Sequence, residues 1–233
     1  METWRRLAVS GELGKPRVLR DREIVFERGQ PADRAYLLFE GAHEVVQGSE
    51  SGQSAVLKVV TPLTIAGSVE LLAGEPDYLE TIRIAGDAVM YVLEADAFIA
   101  VVGKSPSALT ESAADVAQCF CGAARYEPAR LFENDVVLAT LFSAYADVFG
   151  EPTPKGTRIS LQRSQSDLAA ATGIAERSVN RILAQWQKLK LVSKDAGRYT
   201  VHDLAALKRL AGPLDGSLVH RWVTPEHALF EKG

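Results

Sequence analysis

Cysteine is nearly missing from this chain. Cys119 and Cys121 are the only two among 233 residues, so no disulfide framework can form and a four-cysteine iron–sulfur site is excluded. Two apart on a helix, they would point about 200° away from each other and could not chelate one metal together. They read as small buried packing residues, with an intersubunit thiol switch as the alternative. Long apolar runs are missing too. The opening METWRR leads into none, so no signal peptide is expected. No stretch of about 18 or more apolar residues offers a membrane span. P-loop, GxGxxG, HExxH and GxSxG patterns are all lacking, so no enzyme is expected. Histidine is scarce, with four in the chain. His43 reads as a surface or packing residue on a strand. His202 lies beside a hairpin, and His220 and His227 lie in a tail, so neither haem nor a metal is expected. Glu133 and Asp135 read as charges at a helix start, not as an acid–base pair. The expectation is a cytoplasmic protein with no cofactor.

What is present is unevenly spread. The net charge is −4. Residues 155–209 nevertheless hold eleven basic residues (Lys155, Arg158, Arg163, Arg177, Arg181, Lys188, Lys190, Lys194, Arg198, Lys208 and Arg209) against Asp167, Glu176, Asp195 and Asp203, a net of +7. The remainder carries −11. A basic module joined to an acidic one suits a nucleic-acid binder with a separate control domain. A solvated lysine-rich face is the plainer reading of the same charges.

Residues 17–100 read as short strands at 23–26, 35–39, 43–46, 55–60, 81–84 and 89–93. Turn residues fall between them at 28–31, 40–41, 48–52, 61–62, 74–76 and 86–87. Such punctuation suggests a sandwich or jelly-roll barrel, closed by a short helix at 95–102. From Ser107 the period changes. Leu109, Ala113, Val116, Phe120 and Ala123 form a heptad seam suited to a paired helix; packing inside one subunit is the alternative. Pro128 ends or kinks it. A second helix is expected from about Pro128 or Glu133 to Phe149, and residues 150–156 read as a linker.

Residues 158–161 are a strand candidate. Ser164 then caps a helix with Asp167 three residues on, and Gly173 ends it. The next helix runs from about Ala175 to Leu189. It carries Val179, Ile182, Leu183 and Trp186 on one face, and Glu176, Arg177, Asn180 and Arg181 on the other. A hairpin with its tip at 195–198 follows. Asp203 caps a last helix to about Leu210, and 212–233 reads as an ill-defined tail. Helix, glycine turn, helix and hairpin make the outline of a winged helix-turn-helix. Arginine offers a planar fork to guanine, asparagine pairs with adenine, and glutamate accepts from cytosine. Glu176, Arg177, Asn180 and Arg181 are therefore candidate base contacts. Ser164, Gln165, Ser178, Lys188, Lys194 and Arg198 are candidate phosphate contacts. An ordinary helical hairpin with a charged outer face is the competing reading.

Two stretches carry a resemblance to a known family. REIVFERGQPADRAYLLFEGAHEVV (22–46) is similar to the start of a cyclic-nucleotide-binding β-roll. SQSDLAAATGIAERSVNRILAQWQKLKLV (164–192) is similar to the helix-turn-helix of the CRP/FNR superfamily of bacterial transcription regulators. The resemblance implies an α+β chain with four parts. These are a β-roll sensor at 15–104, a dimerisation helix and its successor at 105–150, a winged helix-turn-helix at 151–212 and a tail at 213–233. It also implies a homodimer on a near-palindromic DNA site, with RNA polymerase as a further partner and an unknown effector or none. The alternative is a small-molecule-binding regulator whose helix-turn-helix serves protein contacts.

The chain departs from the family in two places. The family's Arg-Glu-x-x-x-Arg pattern appears here as Glu176, Arg177 and Arg181, so an altered half-site is expected. Cyclic-nucleotide binders of the family hold the ribose with a Glu after a Gly and the phosphate with an Arg-Ser or Arg-Thr pair. Here Ser68 follows Gly67, and no arginine occurs between Gly74 and Thr81. Gly67, Ser68, Glu70, Tyr78, Leu79 and Thr81 thus form a degenerate ligand pocket, and the usual response to cyclic AMP is not expected. Arg83 reads as a ligand contact or a plain strand residue.

Overall fold

A computed structural model describes residues 1–48, 54–126 and 132–221. Pro128, Trp222, His227 and Phe230 lie outside them, as does the side chain of Ala123. The chain forms two compact units: 1–45 with 60–121 and 220–221, and 46–59 with 122–219.

The larger sheet has the strands β1 (Arg17–Leu19), β2 (Ile24–Phe26), β3 (Arg34–Gly48), β4 (Ser54–Val60), β5 (Thr64–Ala66), β6 (Thr81–Glu94) and β11 (Val219–His220). They run in the order β1-β6-β3-β4-β11, with β2 also on β6 and β5 also on β3. The expected breaks at 40–41 and 86–87 are bends inside single long strands. Gly41, at φ +84°, lies so close that a Cβ would strike the Asp87 carbonyl. Glycine there lets the two longest strands bend together without parting.

Helices close the roll: α2 (Ser68–Ala73), α3 (Ala95–Lys104) and α4 (Pro106–Tyr126). The sequence pattern offers no element before residue 17, yet α1 spans Glu2–Val9. Its Trp4 is fully buried and stacks on Phe98 at 5.5 Å. The Trp4 indole N–H donates to Ser112 Oγ at 3.1 Å. The Glu111 carboxylate accepts from the Thr3 amide at 3.0 and 3.1 Å. A carboxylate thus meets the open N–H end of a short helix, where the dipole favours it.

The second unit holds α5 (Asn134–Phe149), β7 (Gly150–Thr153), β8 (Gly156–Ile159), α6 (Gln165–Thr172), α7 (Glu176–Lys188), β9 (Val192–Asp195), β10 (Arg198–Val201) and α8 (Leu204–Ala211). Its sheet runs β7-β8-β10-β9. The stretch expected as a linker, 150–156, is therefore mostly strand. Gly156 adopts φ +124°, with Val201 O where a side chain would begin, and Thr153 Oγ1 donates to Gly156 O at 2.7 Å. α5 packs against α8, α6 and α7. Leu138, Ala139, Leu141 and Phe142 are all buried, which explains why its apolar positions run nearly all round.

The tail also departs from expectation. Residues Gly212–Leu214 form a 3-10 turn, and β11 joins the large sheet at β4.

Candidate nucleic-acid interface

The local sequence explains how α6 begins and ends. Ser164 Oγ accepts from the Asp167 amide at 3.0 Å, and Asp167 Oδ2 accepts from the Ser164 amide at 2.7 Å. This is the reciprocal cap that the Ser-x-x-Asp spacing announces. Gly173 ends the helix in the left-handed region, its amide bonded to Ala169 O. After a two-residue step α7 begins.

The two faces of α7 separate as its periodicity requires. Val179, Ile182, Leu183 and Trp186 are buried. Glu176, Arg177, Asn180 and Arg181 are exposed together at its N-terminal end. An aromatic cluster fixes the buried side. Phe142 of α5 meets Trp186 of α7 edge-on at 5.6 Å and Tyr199 of β10 at 5.1 Å. One ring thereby sets both the recognition-type helix and the hairpin beside it, and such pairs add about 0.5–1.5 kcal/mol each beyond burial.

The phosphate candidates fall into two sets. Lys188 is exposed, and Ser178 and Gln165 are partly so. Ser164 is exposed while its oxygen caps α6. Lys194 lies over the Tyr199 ring at 4.8 Å. Arg198 is more committed, its Nε donating to Ser160 O at 2.8 Å. His202, set beside the hairpin by the sequence, clamps it: Nδ1 is 2.6 Å from Lys155 O and Nε2 is 2.9 Å from Ser193 Oγ.

The expected seam on α4 faces outward. Leu109 is 46% exposed and Phe120 73%. Ala113 is exposed and Val116 partly so. The opposite face, Ala108, Ser112 and Asp115, is buried. Cys119 is partly exposed and Cys121 exposed, so neither is the buried packing residue expected, and neither is in a disulfide.

Comparison with known proteins agrees with this geometry. Residues 16–105 match the cyclic nucleotide-binding domain, and 137–210 match the Crp-like helix-turn-helix domain. A solved CRP-family transcriptional regulator of Thermus thermophilus, TTHB099, superposes with a TM-score of 0.73 at 26% identity, covering 84% of this chain and 96% of that one. The chain belongs to the CRP/FNR superfamily of transcription regulators. Among curated relatives, the transcriptional regulator LdrP of Thermus thermophilus is 28% identical over 198 residues, 82% of this chain and 94% of its own length. The global nitrogen regulator of Synechococcus elongatus is 25% identical over 201 residues, 80% and 85%. These are regulators of transcription, not enzymes. Among the described residues no helix is long and apolar enough to cross a membrane.

The residues expected at the CRP/FNR ligand pocket lie together, and their side-chain polar groups are bonded to nearby backbone. Gly67 precedes α2 at φ +81°, with Arg34 O and the Tyr78 ring against it. Ser68 Oγ donates to Ile65 O at 2.8 Å. Glu70 Oε1 accepts from the Leu79 amide at 3.0 Å. Tyr78 Oη donates to Arg34 O at 2.8 Å and accepts from the Arg34 amide at 3.1 Å. Its ring stacks on Phe26 at 3.7 Å, and burial holds its hydroxyl well above the ordinary phenol pKa. Thr81 Oγ1 accepts from the Arg28 amide at 3.1 Å, while Leu79 stays half exposed. Arg83 is a structural ion-pair residue: its Nη2 and Nε reach Glu44 Oε2 at 2.6 and 3.0 Å, with Glu44 fully buried.

Sequence reasoning missed one polar site. His43 is 2% exposed with Nδ1 unbonded, and His220 is 7% exposed on β11. Burial first, then His220, pushes His43 down to about 3. The signal was slight: His43 stands in an apolar strand, where alternation alone permits either face.

Proposed function

We propose that the protein is a homodimeric, cytoplasmic regulator that reads a near-palindromic duplex with one α7 from each subunit. The observation that carries this reading is the division of α7. Its aliphatic and indole side is sealed in the domain, while Glu176, Arg177, Asn180 and Arg181 stand exposed at its N-terminal end. Arg181 is assigned to a guanine, Asn180 to adenine and Glu176 to cytosine. Ser178, Gln165 and Lys188 engage phosphates, with Lys194 and Arg198 beside them. The exposed seam of Leu109, Ala113, Val116 and Phe120 supports pairing with a second copy. RNA polymerase is the further partner assigned under this reading.

Cyclic AMP is not the switch under this proposal. The Tyr78 ring lies against Gly67 and Phe26, with its hydroxyl occupied by the Arg34 backbone. Ser68 and Glu70 are likewise bonded within the chain. A nucleotide would have to displace these contacts, with no arginine between Gly74 and Thr81 to hold its phosphate.

Selection of bound sequences from random duplex tests the reading. A palindrome should emerge, and Arg181→Ala should weaken binding to it by about 1–3 kcal/mol, roughly fivefold to over a hundredfold. Salt-sensitive retention without selection, or none, would favour a helix-turn-helix that serves protein contacts. Micromolar cyclic AMP should leave the melting temperature unchanged.

A further inference from the structure

The family matches end at residue 210, and the chain continues into β11. Leu218 is 1% exposed and anchors this stretch. The Val59 amide donates to Leu218 O at 2.7 Å, and the Thr61 amide to His220 O at 3.0 Å. Thr61 Oγ1 donates to the same oxygen at 3.2 Å. The side of β4 that would otherwise be an open edge is thereby covered by the chain's own C-terminal segment.

One side chain makes this seating specific. His220 Nε2 lies 2.9 Å from Asp115 Oδ1, and the Ile65 amide donates to Asp115 Oδ2 at 2.9 Å. Asp115 is 4% exposed. Both of its oxygens are satisfied only while His220 is in place, and a buried carboxylate oxygen left without a partner is costly. A slip of one residue would turn His220 to the other side of the strand and deprive Asp115 of its partner. Asp115 lies on the inner face of α4, opposite Leu109, Ala113 and Phe120.

We propose that β11 is a built-in latch for α4: its backbone seats on β4, and His220 keys into Asp115, fixing the helix on the roll with a segment of the same chain. The latch lies within one subunit, so it stands or falls independently of the dimer and DNA assignments.

Amide exchange on the full chain tests it. His220→Ala should speed exchange at Val59 and Thr61 and along residues 111–116 by about tenfold or more, leaving α7 at the parent rate. His220→Gln, which keeps a side-chain N–H donor, should restore protection at Thr61. Asp115→Ala removes the buried charge along with its bonds; it should release Thr61 and the Ile65 amide together. Parent-like protection of Thr61 in His220→Ala, or equal acceleration throughout the chain, would overturn the latch.

Discussion

Replacing Tyr199 with phenylalanine should make the protein more stable. The Tyr199 hydroxyl is buried and has no hydrogen-bond partner, while the residue as a whole is 2% exposed. A buried donor left unsatisfied costs about 1–3 kcal/mol. The ring does the packing, at 5.1 Å from Phe142 and beneath Lys194, and phenylalanine keeps both contacts. Weakening of the cation–π contact offsets the gain by a few tenths of a kcal/mol. The net should be roughly 1 kcal/mol, or about 2–4 °C in melting temperature for a chain of this size. Alkaline pH supplies a second readout. Burial first, with Asp167 adding, pushes the Tyr199 phenol from its ordinary 10.0 up to about 12. A folded value above the unfolded one means stability that is whole below pH 10 and lost as pH rises towards 12. The parent should fall behind Tyr199→Phe by up to about 1.4 kcal/mol per pH unit across that window. Thermal melts of the two chains at pH 7 and in steps from pH 10 to 12 decide the matter. A lower melting temperature for the variant at pH 7, or parallel alkaline curves, would refute the reasoning.

Acid should act through His43. Its folded value of about 3 lies below the ordinary 6.5, so its contribution is present above pH 6.5 and lost as pH falls towards 3. Denaturation of His43→Leu should show a slope shallower than the parent's by up to about 1.4 kcal/mol per unit in that window. Gly41→Ala places a Cβ on the Asp87 carbonyl at a positive φ; a loss of about 2 kcal/mol or more in urea unfolding is expected, and a parent-like midpoint would contradict the bend. Ser164→Ala removes the reciprocal cap of α6 and should cost about 0.5–2 kcal/mol by the same assay.

The C-terminal domain was readable in detail because its determinants are local. The Ser164–Asp167 cap, the Gly173 stop and the spacing of Val179, Ile182, Leu183 and Trp186 lie within one or two helical turns of the groups they control. Periodicity therefore separated the face of α7 that packs from the face that is free. The roll was harder to read. Gly41 and Gly86 look like ordinary turn residues, and only the partner strand reveals that each bends a strand without ending it. Residues 150–156 misled for a similar reason. A stretch rich in glycine and proline reads as a linker unless Val201, some fifty residues on, is known to lie against Gly156.

The ligand pocket shows how much a missing residue can and cannot say. The lack of an arginine between Gly74 and Thr81 was visible in the sequence and argued against a bound phosphate. The packing of Tyr78 was not visible, because it meets Phe26 and Arg34 across long separations in the chain. The tail poses the same problem more sharply. Leu218 and His220 sit in a stretch with no periodicity, and their partners Val59, Thr61 and Asp115 are more than one hundred residues away. The Tyr78 ring stack and the seating of β11 are two separate internal contacts of this chain. The two are physically independent, one apolar and stacked, the other polar and buried. Loosening either alone should therefore leave the other intact, and their energetic effects should add.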